Sequence, residues 1–297
     1  MSLFVASLNS GSNGNCYYVG NDDEAILIDA GISCRETEIR LKRLGLDINK
    51  IKAIFISHEH ADHISGVCVL VKKYNLPLYI TPRTLQNSNI LSCPEMTKSF
   101  DNSVPIVIGN LSIAAFHKLH DAADPHSFVV SSGNVCVGVF TDIGAVCPQV
   151  IHHFKSCNAV FLESNYDEEM LETGHYPYHL KKRISGGKGH ISNREAYNLF
   201  KEHRSSTLSH LFLSHLSHEN NSPALVEKLF ETVAGETEVI IASRFKETAV
   251  YKIVNALSDT PIEISKLAPE TNIKIRKSVR KVKYLKNEFQ LSLFETY

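Results

Sequence analysis

The stretch Ile54-Phe55-Ile56-Ser57-His58-Glu59-His60-Ala61-Asp62-His63 joins an apolar run to three histidines and two carboxylates. The run from Ile51 to Ile56 has the β-branched content and length of a buried strand. Past His63, the residues Ile64, Val67, Cys68, Leu70 and Val71 recur at helical spacing. The polar cluster therefore sits on a strand-to-helix turn, where a rigid scaffold can aim several side chains at one point. Imidazole and carboxylate together suit zinc, manganese or iron. His58 and His60 are two residues apart, so near an extended strand end they face the same side. Asp62 and His63 follow after the turn, within reach of a second ion. A polar surface loop with scattered histidines would not need a buried strand leading into it.

Composition bounds the rest. The chain has 297 residues, is 43% hydrophobic and carries a formal net charge of −1, enough for a sizeable core and too balanced for global attraction to nucleic acid. Any nucleic-acid contact must come from a local patch. Seven cysteines, scattered without a CxxC pair, fit reduced thiols better than a disulfide framework. The first residues, Met1 to Asn9, lack a basic signal-peptide head. No apolar run approaches the ~20 residues of a membrane span. A soluble, cytoplasmic protein with no membrane partner is expected.

In chain order, Leu3 to Leu8, Cys16 to Val19 and Glu24 to Ile28 read as strands. Between the first two lies the turn-rich loop Asn9-Ser10-Gly11-Ser12-Asn13-Gly14-Asn15. That loop is either an anion-cradling nest, with Ser12 and Asn13 as substrate contacts, or an ordinary turn. Asp29 ends the third strand, and its expected job is to orient a metal-binding histidine. Ser33-Cys34-Arg35-Glu36 is a capping box for a helix running to Leu44. Pro77 to Ile80 is a strand and Arg83 to Leu91 a helix. Two hairpins follow, Val104 to Leu119 and Phe128 to Thr141, the first ending in His120-Asp121 and the second in Thr141-Asp142. Pro148 to Phe154 is a helix, and Ala159 to Leu162 is a strand ending in Glu163-Ser164-Asn165. A mostly helical insert, Glu168 to His203, carries Arg183, Lys188 and His190, with a second capping box at Ser192-Asn193-Arg194-Glu195. Strand Leu208 to Leu213 ends at Ser214-His215. A helix from Ser222-Pro223 and strands at Glu238 to Ala242 and Ala249 to Val254 complete the body.

Ligand-type residues thus recur where strands finish: His58, His60, Asp62, His63, His120, Asp142 and His215. The order of elements predicts an α+β fold, an αββα sandwich of two mixed β-sheets flanked by helices, with those ends on one edge. Residues 1–265 form the catalytic domain in this reading and 266–297 a basic extension. Between Asn272 and Lys286 that extension holds Lys274, Arg276, Lys277, Arg280, Lys281, Lys283 and Lys286 with no acid. It is either a solvated face or a strip that tracks phosphates.

Taken together, Asp29, the HxHxDH of His58 to His63, then His120, Asp142 and His215 resemble the metallo-β-lactamase superfamily over about residues 1 to 255. The finer resemblance is to YycJ/WalJ-type bacterial proteins. It is carried by Gly11 to Asn15, Leu27 to Gly31, His120 to Pro125, Glu163 to Asp167, Gly189 to Asn193 and Leu213 to Asn221. The basic extension does not match that pattern. The resemblance implies His58, His60 and His120 on one ion, Asp62, His63 and His215 on a second, and Asp142 bridging. The choice of His120 over His117 or His126 rests on it. It also implies a nuclease, with exonuclease activity on double-stranded DNA.

Two divalent ions, Zn²⁺ or Mn²⁺ in preference to iron, would generate hydroxide and brace an in-line displacement at phosphorus. Asp62 and His190 are the expected catalytic side chains. His190 would supply a proton to the leaving oxygen or grip phosphate, against the plainer reading of a surface histidine. Asn165 and Asn193 are candidate substrate contacts, with a turn-forming role as the alternative. Rival functions on the same residues are a small-molecule hydrolase (a cyclic phosphodiesterase or a thioesterase) and a DNA-binding scaffold without catalysis. An oxygen-reducing di-iron site ranks lower, because His60 stands where that chemistry wants a carboxylate.

Overall fold

The computed structural model describes residues 1–90 and 94–255. The basic extension, the boundary at residue 265 and Leu91 lie outside the described residues; the helix expected at Arg83 to Leu91 already ends at Gln86, capped by Asn87. Strands β1 (Leu3–Asn9), β2 (Cys16–Gly20), β3 (Ala25–Ile28), β4 (Ile51–Phe55), β5 (Leu78–Tyr79) and β6 (Thr97–Lys98) belong to one sheet. Strands β7 (Ile106–Ile108), β8 (Leu111–His117), β9 (His126–Ser132), β10 (Val135–Phe140), β11 (Ala159–Glu163), β12 (His210–Ser214) and β13 (Glu238–Ile241) form the other. The last described strand, β14 (Tyr251–Ile253), returns to the first sheet and pairs antiparallel with β1. The spatial orders are β14-β1-β2-β3-β4-β5-β6 and β13-β12-β11-β10-β9-β8-β7.

Both sheets are mixed, as expected. Hairpins give antiparallel pairs among β1, β2 and β3 and among β7, β8, β9 and β10. From β3 to β6 and from β10 to β13 the pairing is parallel. Each parallel step needs a crossover, and helices supply most of them. The first sheet carries α1 (Cys34–Arg43), α2 (Ala61–Ile64), α3 (Val67–Tyr74) and α4 (Pro82–Gln86). The second carries α5 (Pro148–Phe154), α6 (Glu168–Thr173), α7 (Tyr178–Ser185), α8 (Asn193–His203) and α9 (Pro223–Glu231).

Period-two alternation sorts the strand side chains into layers. In β3, Ile26 and Ile28 face the inter-sheet core while Ala25 and Leu27 face α1 and α3. In β11, Phe161 joins the inter-sheet core while Val160 and Leu162 pack under α5, α8 and α9. Central strands are apolar on both faces for this reason, and they read as continuous hydrophobic runs. Phe161 is fully buried, with ring centroids 5.0 Å from Tyr17 and 4.5 Å from Phe212.

Several elements differ from expectation. The helix after His63 is two helices, because Gly66 approaches the β3 end closely. Its N–H donates to the Ala30 carbonyl at 2.8 Å, and a Cβ there would collide with the Ile32 carbonyl. The helical insert is three helices, α6 to α8. The short edge strand β6 carries no periodic signal in two residues. Among the described residues no helix is long and apolar enough to cross a membrane.

Replacing Phe161 with alanine should lower unfolding free energy by about 3–5 kcal/mol, the cost of a large cavity between the sheets. Urea denaturation of the metal-loaded protein measures this. A loss under about 1 kcal/mol would mean the sheets do not depend on that contact.

Candidate metal centre

Parallel strands place their carboxyl ends at one edge, where open α/β sheets put their sites. The ends of β3, β4, β10, β11 and β12 deliver Asp29, Ser57-His58, Asp142, Glu163 and His215. Asp29, Asp142 and His215 have φ of 60°, 54° and 55°. Non-glycine residues pay for that left-handed conformation and hold it only when their surroundings insist. Asp29 N–H donates to Phe55 O at 2.8 Å and His215 N–H to Ser10 Oγ at 2.7 Å, while Glu163 Oε2 accepts from the Ile143 N–H at 2.7 Å just after Asp142.

Three imidazoles converge first. His58 Nε2 lies 3.1 Å from His60 Nδ1, which lies 3.3 Å from His120 Nε2. The outer nitrogens of two of these rings are fixed: His58 Nδ1 is 2.9 Å from Ser57 Oγ, and His120 Nδ1 donates to the Gly189 carbonyl at 2.9 Å. A second group lies alongside. Asp62 Oδ2 is 3.5 Å from His63 Nε2 and 3.6 Å from His215 Nε2. His63 Nδ1 donates to Asp29 Oδ2 at 2.7 Å, the orienting role expected for Asp29, and His215 Nδ1 donates to Glu163 Oε1 at 2.9 Å. Asp142 stands between the groups, with Oδ2 3.2 Å from His63 Nε2 and Oδ1 4.0 Å from His120 Nε2.

Electrostatics distinguish the two groups in the metal-free protein. Burial holds His58, His60 and His120 below the ordinary imidazole value, with His120 down at about 3. They are neutral bases with lone pairs turned inward. Burial also opposes charge on His63 and His215, but carboxylates overrule it. Asp142, Asp29 and Asp62 raise His63 well above its usual range, and Asp142, Asp62 and Glu163 push His215 up to about 10. Asp142 resists its own burial because His215 and His63 hold its carboxyl well below the usual range. Lys118, buried beneath, donates from Nζ to Thr141 O at 2.7 Å, and burial lowers its pKa.

These residues fit divalent cations. Asp142 Oδ2 and His215 Nε2 are buried with no hydrogen-bond partner, which is costly unless something else satisfies them. The ligand atoms of His58, His60 and His120 lie within 4.8 Å of one another, as do those of Asp62, His63 and His215. Histidine and carboxylate donors, most with the second ring nitrogen engaged, suit Zn²⁺ or Mn²⁺.

Other expected site residues fall as follows. His190 lies at the margin, its side chain 20% exposed, with Nδ1 donating to Glu163 Oε1 at 2.8 Å. Ser12 and Asn13 are exposed at a loop tip, where Asn13 Nδ2 donates to the Arg244 carbonyl at 2.8 Å. The loop is a brace for the ligand turn, since Asn15 N–H donates to Asp62 O at 2.7 Å and Asn15 Nδ2 to Asp62 Oδ2 at 3.1 Å. Asn165 and Asn193, expected as substrate contacts, both have amides engaged internally. Asn165 Nδ2 donates to His215 O at 2.8 Å, supporting the left-handed turn. Asn193 exchanges hydrogen bonds with Asn221 at 3.0 and 2.8 Å and accepts from Ser164.

Sequence reasoning passed over four contributors. Glu163 joins His190 to His215, and a carboxylate closing a buried strand before a polar turn was the available signal. Glu59 accepts from Ala123 N–H at 2.7 Å and ties the ligand turn to the His120 loop. Asn15 and Lys118 carry no local pattern.

The comparisons agree with this geometry. A family model described as the metallo-beta-lactamase superfamily matches residues 10–89. The exodeoxyribonuclease YycJ of Bacillus anthracis is 34% identical over 249 residues, covering 83% of this chain and 94% of that one. The exodeoxyribonuclease WalJ of Streptococcus pneumoniae is 29% identical over 244 residues, covering 80% and 91%. Among solved structures, the metallo-beta-lactamase fold protein YhfI of Bacillus subtilis superposes with a TM-score of 0.66 at 19% identity, over 85% of this chain and 100% of that one. Fold and site define a metal-dependent hydrolase of the metallo-β-lactamase type. Within that superfamily the chain belongs to the YycJ/WalJ family.

Glu163→Gln should weaken metal binding by about 10–100-fold, because it loosens the hold on His215. Competition against a chelating dye measures this, and wild-type affinity would contradict the role given to Glu163. Stability of the metal-free protein should fall with rising pH. Its His215 binds a proton more tightly folded than unfolded, so that contribution is complete below about 6.5 and is lost as pH passes through about 10. Metal binding removes the same proton, so the loaded protein should show a flatter alkaline limb in thermal melts. A flat or rising Tm for chelated protein over that range would contradict the charge assignment.

Proposed function

We propose that this protein is a metal-dependent nuclease that hydrolyses phosphodiester bonds in DNA, working from an end of a duplex. The observation that carries this reading is the pair of ligand groups sharing Asp142, with His190 beside them. His58, His60 and His120 would hold one divalent ion, Asp62, His63 and His215 a second, and Asp142 would bridge. Bound there, Zn²⁺ or Mn²⁺ would supply hydroxide at neutral pH and positive charge for the phosphoryl oxygens. The 34% identical relative is named an exodeoxyribonuclease across nearly its whole length, which favours a nucleic-acid substrate over the small-molecule alternatives.

The chain's own residues divide the remaining work. Glu163 engages the Nδ1–H of His190, so that the imidazolium form would present its Nε2–H to a leaving oxygen and return to the neutral Nδ1–H tautomer. Glu163 also engages His215, so one carboxylate sets the positions of a ligand and of the proton donor. Asp62, partly exposed, is the carboxylate best placed to accept a proton during attack. Ser57 and Asp29 lock the ligand turn: Asp29 accepts from the Ser57 N–H and hydroxyl, each at 2.8 Å. Cys16, Cys34, Cys136, Cys147 and Cys157 are free thiols, consistent with a cytoplasmic setting.

An end-labelled duplex incubated with the Mn²⁺-loaded protein should release nucleotides progressively from its ends. His58→Ala should reduce release to the level of a protein-free control, and His190→Ala should slow it about 10²–10⁴-fold while metal content is retained. Undiminished cutting by His58→Ala would reject the site. Hydrolysis of small phosphodiesters with no action on any DNA would reject the substrate class.

A further inference from the structure

The insert between β11 and α8 is larger than a crossover requires, and the metal centre uses only its last residues. Gly174 to Gly189 carries Lys181, Lys182, Arg183 and Lys188 with no acidic residue. Within it, no side chain of α7 is fully buried: Leu180, Lys181 and Ile184 are half-buried and the other five are exposed. Such thin packing leaves much of the hold to polar contacts. Lys181 Nζ donates to Glu172 O at 2.5 Å, and Arg183 Nε to Asp121 Oδ2 at 2.5 Å, beside His120. The carbonyl of Ile184 accepts from the His190 N–H at 2.8 Å.

This anchoring brings α7 to the rim of the metal centre. The loop after it, Gly186-Gly187-Lys188-Gly189, supplies the carbonyl that orients His120. Its Lys188 backbone packs so closely on Gly144, two residues past Asp142, that a Cβ on Gly144 would collide with it. The side chains of Lys182 and Lys188 are exposed, and among the described residues neither pairs with a carboxylate. Between α6 and α7 lies a cavity of about 570 Å³. Tyr166, Tyr176 and Tyr178 line it, with Lys181 and Lys182 on the α7 wall and Glu168 and Glu172 on the α6 wall. Tyr166 directly follows Asn165, which holds His215, so the cavity borders the residues that support the second ligand group. Tyr178 is 73% exposed, and Lys182 Nζ sits 5.6 Å above its ring.

We propose that α7 and the Gly186–Gly189 loop grip the DNA strand entering the metal centre, with Lys182 and Lys188 on its phosphates and Tyr178 against an unstacked base at the strand end. Unpaired cations beside exposed aromatic rings are the combination that binds single strands without sequence preference. Phosphates take the outer lysines, the tyrosines offer stacking faces, and the α6 carboxylates can accept hydrogen bonds from exocyclic amines. The occupant is a single-stranded nucleic-acid end. A continuous duplex stacks its bases internally and has none to offer the tyrosines. The inference rests on the nuclease reading and adds where the strand lies.

The test uses the full chain loaded with Mn²⁺ and a phosphorothioate duplex with a frayed end, which binds without being degraded. Affinity is measured against salt for wild type, Lys182→Ala/Lys188→Ala, Tyr178→Ala and the remote control Lys155→Ala. The double variant should bind on the order of tenfold more weakly, with a log–log salt slope shallower by about 0.7 for each lost phosphate contact. Tyr178→Ala should lose on the order of tenfold for the frayed end and keep the wild-type slope. Lys155→Ala should match wild type. Because Tyr178, Lys182, Lys188 and Lys155 are all exposed, every variant should melt as wild type does. A wild-type slope in a normally melting double variant overturns the grip while leaving the nuclease reading intact. Wild-type protein that neither binds nor degrades DNA overturns both.

Discussion

Three buried carboxylates, Asp29, Asp142 and Glu163, stand within hydrogen-bonding or ion-pairing distance of His63, His190 and His215 at one edge of the sandwich. Burying that much negative charge is expensive unless cations share the space. Lys118 below and protonated imidazoles within meet part of the need in the metal-free protein. Divalent ions would meet it better, and they would also satisfy Asp142 Oδ2 and His215 Nε2. The local backbone bends to this end, since Asp29, Asp142 and His215 all take the left-handed conformation directly after their strands. The sheets, in turn, bring five parallel strand ends level so that those turns can meet.

Charge balance also links the site to its substrate. Four carboxylates, counting Asp62, and one lysine leave the centre negative. Two divalent ions would reverse that sign and favour a phosphodiester anion. The cationic stretch of α7 and its following loop lies against the same rim. The whole chain is nearly neutral, so local placement, not overall charge, would attract DNA.

Much of this was legible in the sequence, for physical reasons. The strand feeding His58 and the histidine–carboxylate turn after it are a local pattern, and β-hairpins announce themselves through short turns such as Ser132-Gly133-Asn134. The layered fold follows from runs that are apolar on both faces. Spacing alone could not select His120 from among His117, His120 and His126. His117 and His126 form a separate cluster with Asp124, and the His126 ring turns its Nδ1 to the Asp124 carbonyl at 2.9 Å. The roles of Asn15 and Lys118, and the partners of Glu163, were illegible because each acts through residues distant in sequence: 27 residues separate Glu163 from His190, and 47 separate Asn15 from Asp62. Asn193 is a polar residue at a helix start, and its engagement with Asn221, 28 residues on, left no local signal.

The proposed centre depends on two ions sharing Asp142. Anomalous scattering from crystals of the full chain saturated with Zn²⁺ or Mn²⁺ tests it most directly. Two peaks are predicted, one enclosed by His58, His60 and His120 and the other by Asp62, His63 and His215, with the Asp142 carboxylate between them. A single peak at saturating metal, or two peaks that Asp142 does not touch, would contradict it.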